Sequence, residues 1–320
     1  MAFLSAVSLD DVLAARERIA GIAVRTPLVS MPLEDSPAEI HLKLENLQPI
    51  GSFKLRGAAS AMALASPEDL RRGVWTASAG NMAQGVAWYA RRAGVACSVV
   101  IPDTAPEAKR KAVERLGARL IPVPFDAWFE VFETHRFEGL DGFFVHPFTD
   151  PAVMAGNGTI GLEILEDLPD VDAVVVPYGG GGLSCGIASA IRTRAPHVKV
   201  YACEVDAAAP LAASLAAGAP TSIPYVPSFV DGIGGPSLLP EMFELSAALL
   251  AGSIVVGVAE VAEALRLMVE RNHVVAEGAG ATPVAAARTG KAGSGKVACV
   301  VSGGNIDASK VAKILEGGVP

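Results

Sequence analysis

The chain is 320 residues long, 51% of them hydrophobic, with 33 glycines and a formal net charge of −8. That is enough apolar material for one big domain or two intimate ones, and the acidic balance argues against a polyanionic nucleic acid as partner. The opening Met1–Ser8 has no basic stretch and charges begin at Asp10, so no signal peptide is expected.

In chain order, Ser8 with Asp11 forms a capping-box pattern for a helix to about Ile19. A strand is expected at Val74–Ala77, followed by a helix from Asn81 to Ala93. Ala96–Ile101 reads as a second strand, Pro106–Leu116 as a helix with Pro106 in its first turn, and Arg119–Val123 as a third strand. This is a βαβαβ run, which implies a parallel sheet with helices on both faces. The pattern recurs. Val171–Val176 leads through Gly179–Gly182 into a helix to about Arg194, then to a strand at Val198–Cys203. Between Asp206 and Asp231 the chain is uncharged but holds Pro210, Gly218, Pro220, Pro224 and Pro227; a short helix and a wandering loop fit better than a membrane span. A late strand at Val297–Val301 ends at Ser302, and a last helix starts near Ala308. Two α/β units thus lie in one chain with no Gly/Ser linker, and the cleft between them is the expected ligand site.

Cys97, Cys185, Cys203 and Cys299 are scattered with no CxxC pair, and the five histidines lack metal-ligand spacing. Buried free thiols in a reducing cytoplasm are expected.

Four segments carry candidate chemistry. In Gly51-Ser52-Phe53-Lys54-Leu55-Arg56-Gly57, a lysine beside an aromatic and small residues can be desolvated, which lowers its pKa and frees the amine for Schiff-base formation. Ser78-Ala79-Gly80-Asn81 stands where a strand turns into a helix, either as a carboxylate or phosphate site or as a plain N-cap through Ser78 or Asn81. Gly179-Gly180-Gly181-Gly182-Leu183 would be an extravagant turn but suits a phosphate cradle; it is not the GxGxxG of a dinucleotide site. Ser302-Gly303-Gly304-Asn305 ends the last strand, where a hydroxyl could reach a ring nitrogen in the cleft. Gly290 to Lys296 spells G-x-x-x-x-G-K, but Val297 replaces the required Ser/Thr and the helix precedes rather than follows, so it reads as a loop.

These four segments, in this order and spacing, resemble the fold type II pyridoxal-phosphate enzymes, and within them the threonine/serine dehydratases with their serine-racemase relatives. The resemblance runs from Arg25-Thr26-Pro27-Leu28 to the Ser302 segment. It implies a tryptophan-synthase-β-like α/β fold of two domains, each an open, mostly parallel twisted sheet flanked by helices. Residues 1–70 and 151–320 would form the large domain and 71–150 the small one. Pyridoxal 5′-phosphate is the implied cofactor, held by Lys54. Phe53 would pack on its ring, Asn81 would bond its 3′-oxygen, Gly179, Gly180, Gly181, Gly182 and Leu183 its phosphate, and Ser302 its pyridine nitrogen. Gly232, in Asp231-Gly232-Ile233-Gly234-Gly235, and Glu277, in Ala276-Glu277-Gly278, would also face the cofactor, although Glu277 could equally be a solvated helix-start residue. Ser78, Ala79, Asn81 and Met82 would contact the substrate, with Lys54 and Ser78 as catalytic candidates.

The implied reaction is α,β-elimination from a small β-hydroxy amino acid such as L-threonine or L-serine, giving the 2-keto acid and ammonia. Racemases usually have a second serine at the Ala79 position, so elimination is expected over racemisation, and a β-replacement synthase would carry a different lysine motif. Met82 replaces a common histidine, which opens the way to a bulkier β-substituent, as in phenylserine. A divalent-cation site of some relatives needs an acid where this chain has Pro210, beside Glu204 and Ala208, so no required metal is expected. The chain ends soon after the Ser302 segment, so feedback regulation by isoleucine is not expected and a catabolic role is. A homodimer or higher homo-oligomer in the cytoplasm is implied.

Overall fold

The computed structural model describes residues 4–105 and 107–320; Met1 to Phe3 and Pro106, which bear on the leader and helix-start readings, lie outside the described residues. The first helix, α1 (Leu9–Ile19), opens with the expected capping box: Ser8 Oγ accepts from Asp11 N at 3.1 Å and Asp11 Oδ2 from Ser8 N at 3.0 Å. Then come β1 (Leu28–Met31), β2 (Glu39–Lys43), α2 (Lys54–Met62) and α3 (Pro67–Arg72). The next stretch contains β3 (Val74–Ala77), α4 (Asn81–Ala93), β4 (Cys97–Pro102), α5 (Glu107–Glu114), β5 (Arg119–Val123), α6 (Phe125–Thr134) and β6 (Phe143–Phe144). The longest helix, α7 (Pro151–Asp167), is started by Asp150, whose carboxylate accepts from Ala152 N, with Pro151 at its first position. After it run β7 (Ala173–Pro177), α8 (Gly182–Arg194), β8 (Lys199–Val205), α9 (Pro210–Ala217) and α10 (Pro240–Leu249). The chain finishes with β9 (Ser253–Val256), α11 (Val258–Asn272), α12 (Gly278–Arg288), β10 (Lys296–Val300) and α13 (Ala308–Leu315).

Two sheets result. One has six strands in the order β1-β2-β10-β7-β8-β9, antiparallel only at β1–β2; the other has four, β5-β4-β3-β6, all parallel. The strand β7 shows why its run is apolar throughout. Val174 and Val176 pack with Ile160, Ile187 and Ile191 from α7 and α8, while Ala173 and Val175 pack with Leu265 and Val284 from α11 and α12. In the smaller sheet Val74 and Val99 face α2 and α4, and Trp75 and Val100 face α6. Helices therefore cover both faces of each sheet. In the larger sheet the neighbours β7 and β10 send the chain to opposite faces, into α8 and α13, and the crevice beyond their carboxyl ends is where such sheets take ligands.

The helices α2 and α7 approach closely because Gly156 faces the chain at Arg56; a Cβ there would come 2.5 Å from the Arg56 carbonyl oxygen. This contact lies next to a buried ion network. Arg56 is 1% exposed and all five of its N–H directions are used. Its Nε and Nη2 donate to both Glu45 oxygens at 2.8 Å, its Nη1 to Glu163 Oε1 at 2.6 Å and Thr159 Oγ1 at 3.0 Å, and Nη2 also to Glu163 Oε2 at 2.9 Å and Val24 O at 3.1 Å. Lys43, also fully buried, completes the balance at 2.6 Å from Glu163 Oε2 and donates to the Thr26 carbonyl at 2.6 Å. Burial alone would raise the Glu45 carboxyl, but the Arg56 guanidinium, with Thr26 and Lys43, holds it below the usual range. Two cations thus neutralise two anions inside the core and tie β2, α2 and α7 together.

Removing one partner of such a group strands charge in the interior. Arg56→Ala is expected to cost about 3–5 kcal/mol, read as a fall in the denaturant midpoint, with Arg56→Lys recovering only part because its three donors cannot fork across two carboxylates.

Candidate active site

A cavity of about 290 Å³ lies between the loops of the two sheets, and every candidate residue of the sequence reading lines it: Phe53, Lys54, Ser78, Ala79, Asn81, Met82, Gly179 to Leu183, Gly232, Glu277 and Ser302. The lysine is presented by a short backbone junction. Ser52 and Gly303 form an isolated antiparallel bridge, Phe53 N donates to Ser302 O at 2.9 Å, and Gly304 N donates to Gly51 O at 2.9 Å. The exit of β10 thereby fixes the entry of α2, whose first residue is Lys54. Its Nζ donates to the Pro147 carbonyl at 2.9 Å and sits 5.1 Å from the Phe53 ring centroid. Burial lowers this amine to about 8 against the opposing pull of Glu277, and a position at a helix N-terminus also disfavours the ammonium.

The loop after β7 is built for an anion. Gly181, at φ +87°, is the N-cap of α8, and the backbone N–H groups from Gly179 to Ser184 have no acceptor among the described residues. Six adjacent free donors at a helix start form a cradle for a phosphate. Side chains are excluded from it: a Cβ at Gly182 would lie 2.6 Å from the Phe148 carbonyl oxygen, and one at Gly181 would lie 2.6 Å from Met242 Cε.

A second such loop follows β3. The N-cap of α4 is Gly80, with no side-chain cap, so the alternative of Ser78 or Asn81 as cap does not hold. Ser78 stands two residues too early, and its Oγ accepts from Gly80 N at 3.2 Å. Asn81 is already in the first turn and its amide is engaged elsewhere, donating to Glu277 Oε1 at 2.8 Å and accepting from Asn305 Nδ2 at 2.8 Å. The N–H groups of Ala79, Asn81, Met82 and Ala83 have no acceptor among the described residues, which leaves a carboxylate-sized nest. Met82, expected at the substrate pocket, borders the cavity but is 1% exposed, its side chain packed with Ala58, Met62 and Val86.

Glu277 is not a solvated helix-start residue. It is 5% exposed, and burial, reinforced by Asp231, raises it to about 7. Gly303 and Gly232 lie against it; a Cβ would come 2.5 Å and 3.3 Å from its Oε1. Ser302 is 2% exposed at the carboxyl end of β10. Glu204, weighed for a cation, is instead spent on the fold, accepting from Leu211 N, Ala212 N and Ser253 Oγ at 2.9, 2.8 and 2.6 Å and so capping α9. The four cysteines are buried and free.

The sequence reading assigned no role to Gln84, Lys109, Trp128, Phe132, Pro147, Phe148 and Asn305, which also line the cavity. Asn305 stood inside a named segment. The helical spacing of Phe125, Trp128 and Phe132 was a visible signal, but it says only that one helix face is apolar. Lys109 meets Asp231 at 2.9 Å across the cavity mouth.

The lowered amine has a direct test that needs no ligand. Labelling of Lys54 by a water-soluble acylating reagent, followed by mass spectrometry, is expected to be half-maximal near pH 8, because the reactive neutral form accumulates as pH rises through that value; a midpoint shared with the surface lysines would contradict it.

Taken together, an amine available near neutral pH, a phosphate cradle, a buried hydroxyl at Ser302 and a carboxylate nest fit a phosphorylated aldehyde cofactor and an amino acid. The comparisons with known proteins agree. The family described as pyridoxal-phosphate dependent enzyme matches residues 19–303. An L-threonine ammonia-lyase of Thermotoga maritima is 42% identical over 318 residues, covering 98% of this chain and 79% of that protein. The catabolic L-threonine dehydratase TdcB of Escherichia coli is 38% identical over 319 residues, 96% of each. Among solved structures, maize serine racemase superposes with a TM-score of 0.89 at 30% identity, covering 97% of both chains. The chain belongs to the pyridoxal-phosphate-dependent enzymes, as a fold type II member that uses pyridoxal phosphate and acts as a lyase of the dehydratase kind.

Proposed function

We propose that the substrate is an L-β-hydroxy amino acid, L-threonine or L-serine or a relative with a bulkier β-substituent such as phenylserine, converted to its 2-keto acid and ammonia. The observation that carries this is the single cavity in which a lowered lysine amine faces two separate loops of unbonded N–H groups, one sized for a phosphate and one for a carboxylate. Bound pyridoxal phosphate supplies an electron sink that acidifies the Cα–H of an amino acid joined to it. The residues of this chain do the rest. Gly179 to Leu183 hold the phosphate through their N–H groups, Phe53 packs on the ring, and Ser302 meets the pyridine nitrogen as a neutral partner that does not keep it charged. Asn81, steadied by Glu277 and Asn305, bonds the ring oxygen, with Gly232 and Glu277 closing that side.

Ser78, Ala79 and Asn81 bind the substrate carboxylate and so fix which face of Cα looks toward Lys54. Lys54 takes the Cα proton, the electron pair of the broken C–H bond becomes the Cα=Cβ double bond, and the β-hydroxyl departs with the C–O pair, taking up a proton to leave as water. Addition of water and loss of ammonia then give the keto acid. Ala79 offers no hydroxyl to return a proton on the opposite face, which supports elimination over the racemisation performed by the serine racemase neighbour.

The two sheets are the basis for dividing the chain into a large unit of residues 1–70 and 151–320 and a small unit of 71–150, with the site in their cleft. No described helix is long and apolar enough to cross a membrane. A homo-oligomer working in the cytoplasm on amino-acid catabolism is part of the same reading.

The test is keto-acid and ammonia release from L-threonine, L-serine and D-serine, with Lys54→Ala as control. Turnover of an L-substrate that vanishes in Lys54→Ala is the expected result. Interconversion of L- and D-serine without keto acid would instead make the protein a racemase.

A further inference from the structure

One wall of the cavity differs in character from the rest. Where the loops of the larger sheet offer N–H groups, glycines and Ser302, the side toward β3 and α6 offers rings: Trp128, Phe132 and Phe148, with Pro147 beside them. Trp128 and Phe132, one turn apart on α6, meet edge to face at 4.8 Å between centroids, and Phe132 lies 5.6 Å from Phe148. These rings share a packed cluster with Ala77, the residue immediately before the Ser78 loop. Ala77 and Phe132 are buried in that cluster, but Trp128 and Phe148 keep a partly exposed face on the cavity. The wall thus runs from the carboxylate nest to the phosphate cradle, since Phe148 also lies against Gly180 and Gly182.

The wall is held rigid from behind by His146, which is 3% exposed. Its Nδ1 accepts from Thr149 N at 2.9 Å and Phe148 N at 3.3 Å, its Nε2 lies 3.3 Å from the Phe132 carbonyl, and its ring stacks edge to face on Phe148 at 4.6 Å. Burial and the neighbouring His135 push this imidazole down to about 3, so it carries no charge behind the rings. The same segment supplies the Pro147 carbonyl that accepts from Lys54.

We infer that Trp128 and Phe148, backed by the buried Phe132, form a subsite for the β-substituent of the substrate, and that this subsite selects an aryl group, as in a 3-arylserine, over hydrogen or methyl. The inference rests on the elimination reading above and deepens it. An amino acid anchored by its carboxylate at Ser78 to Asn81 has its side chain next to the wall that begins at Ala77. Serine or threonine would leave the exposed faces of Trp128 and Phe148 in contact with water, while an aryl group would cover them in the offset or edge-on contacts that aromatic rings favour.

Two measurements on the holoenzyme test this separately. The first compares kcat/KM for L-threo-3-phenylserine and L-threonine. The wild type is expected to favour phenylserine, and Trp128→Ala to reduce that ratio about tenfold or more, the size of effect a hydrophobic pocket gives per lost contact. Both substrates are read on one preparation, so partial misfolding cancels, and Trp128→Leu serves as a second variant. The second titrates the cofactor absorbance with L-phenylalanine and L-alanine, neither of which has a β-leaving group. Tighter binding of phenylalanine that Trp128→Ala abolishes supports the subsite whatever the reaction. Threonine turnover with no preference for phenylserine and equal binding of the two ligands would overturn it while leaving the elimination reading intact.

Discussion

The guanidinium of Arg56 sits two residues beyond the lysine that the active site is built around, and much of the architecture converges on it. A buried arginine and lysine paired with two carboxylates are a weak source of stability, because desolvating four charges cancels most of their attraction. What it supplies is geometry. The planar fork admits one arrangement of Glu45 and Glu163, and those residues belong to the segment after β2 and to α7. The first turn of α2 is thus fixed in rotation and in depth, and the direction of Lys54 with it. On the other side, the Ser52–Gly303 bridge sets the same helix start against β10. Lys54 is held from both ends by contacts that never touch a ligand.

With its position fixed, the amine acquires its chemistry from surroundings that follow from the fold. Burial removes water, and the N-terminus of α2 adds a partial positive charge; both favour the neutral form. Glu277 opposes them, but it is itself buried near Asp231 and raised to about 7, so it is a weak counter-charge at neutral pH. The two acceptor-free loops lie at the starts of α4 and α8, each following the carboxyl end of a parallel strand. Parallel strands all point their carboxyl ends one way, so the same topology that buries the sheets gathers helix N-termini into one region of positive potential. An acidic protein can therefore bind two anions side by side.

How much of this was legible beforehand depended on whether the signal was local. The strands Val74–Ala77 and Arg119–Val123, the helix Asn81–Ala93 and the Ser8 capping box are set by neighbouring residues, and the structure has them at those bounds. The glycine run and the lysine segment were legible because their composition is costly without a purpose. The antiparallel pair β1–β2, the two-residue β6 and the edge strand β9 were not read, since short strands take their pairing from distant partners. The helix α7 went unread although Asp150-Pro151 is a start signal, because it is apolar on nearly all sides and shows no amphipathic period. The Arg56 network could not be read at all: its partners Glu45 and Glu163 stand 11 and 107 residues away. Glu277 was identified as a candidate, but its burial is a tertiary property, as is the burial of Met82.

The polar contacts across the cavity share one feature. Asn81 reaches Glu277 and Asn305, Lys109 reaches Asp231, and the Pro147 carbonyl accepts from Lys54. Each joins a group from the stretch between β3 and α7 to one from the remainder of the chain, and each lines the cavity. Beyond these the seam rests on helix packing around α2, α4 and α7, where glycines allow close approach but add little side-chain interlock. A carbon atom bonded to the Lys54 nitrogen would replace its hydrogens, and the contact that stands to be exchanged is the one to the Pro147 carbonyl, whose chain neighbours His146 and Phe148 are themselves hydrogen-bonded to each other.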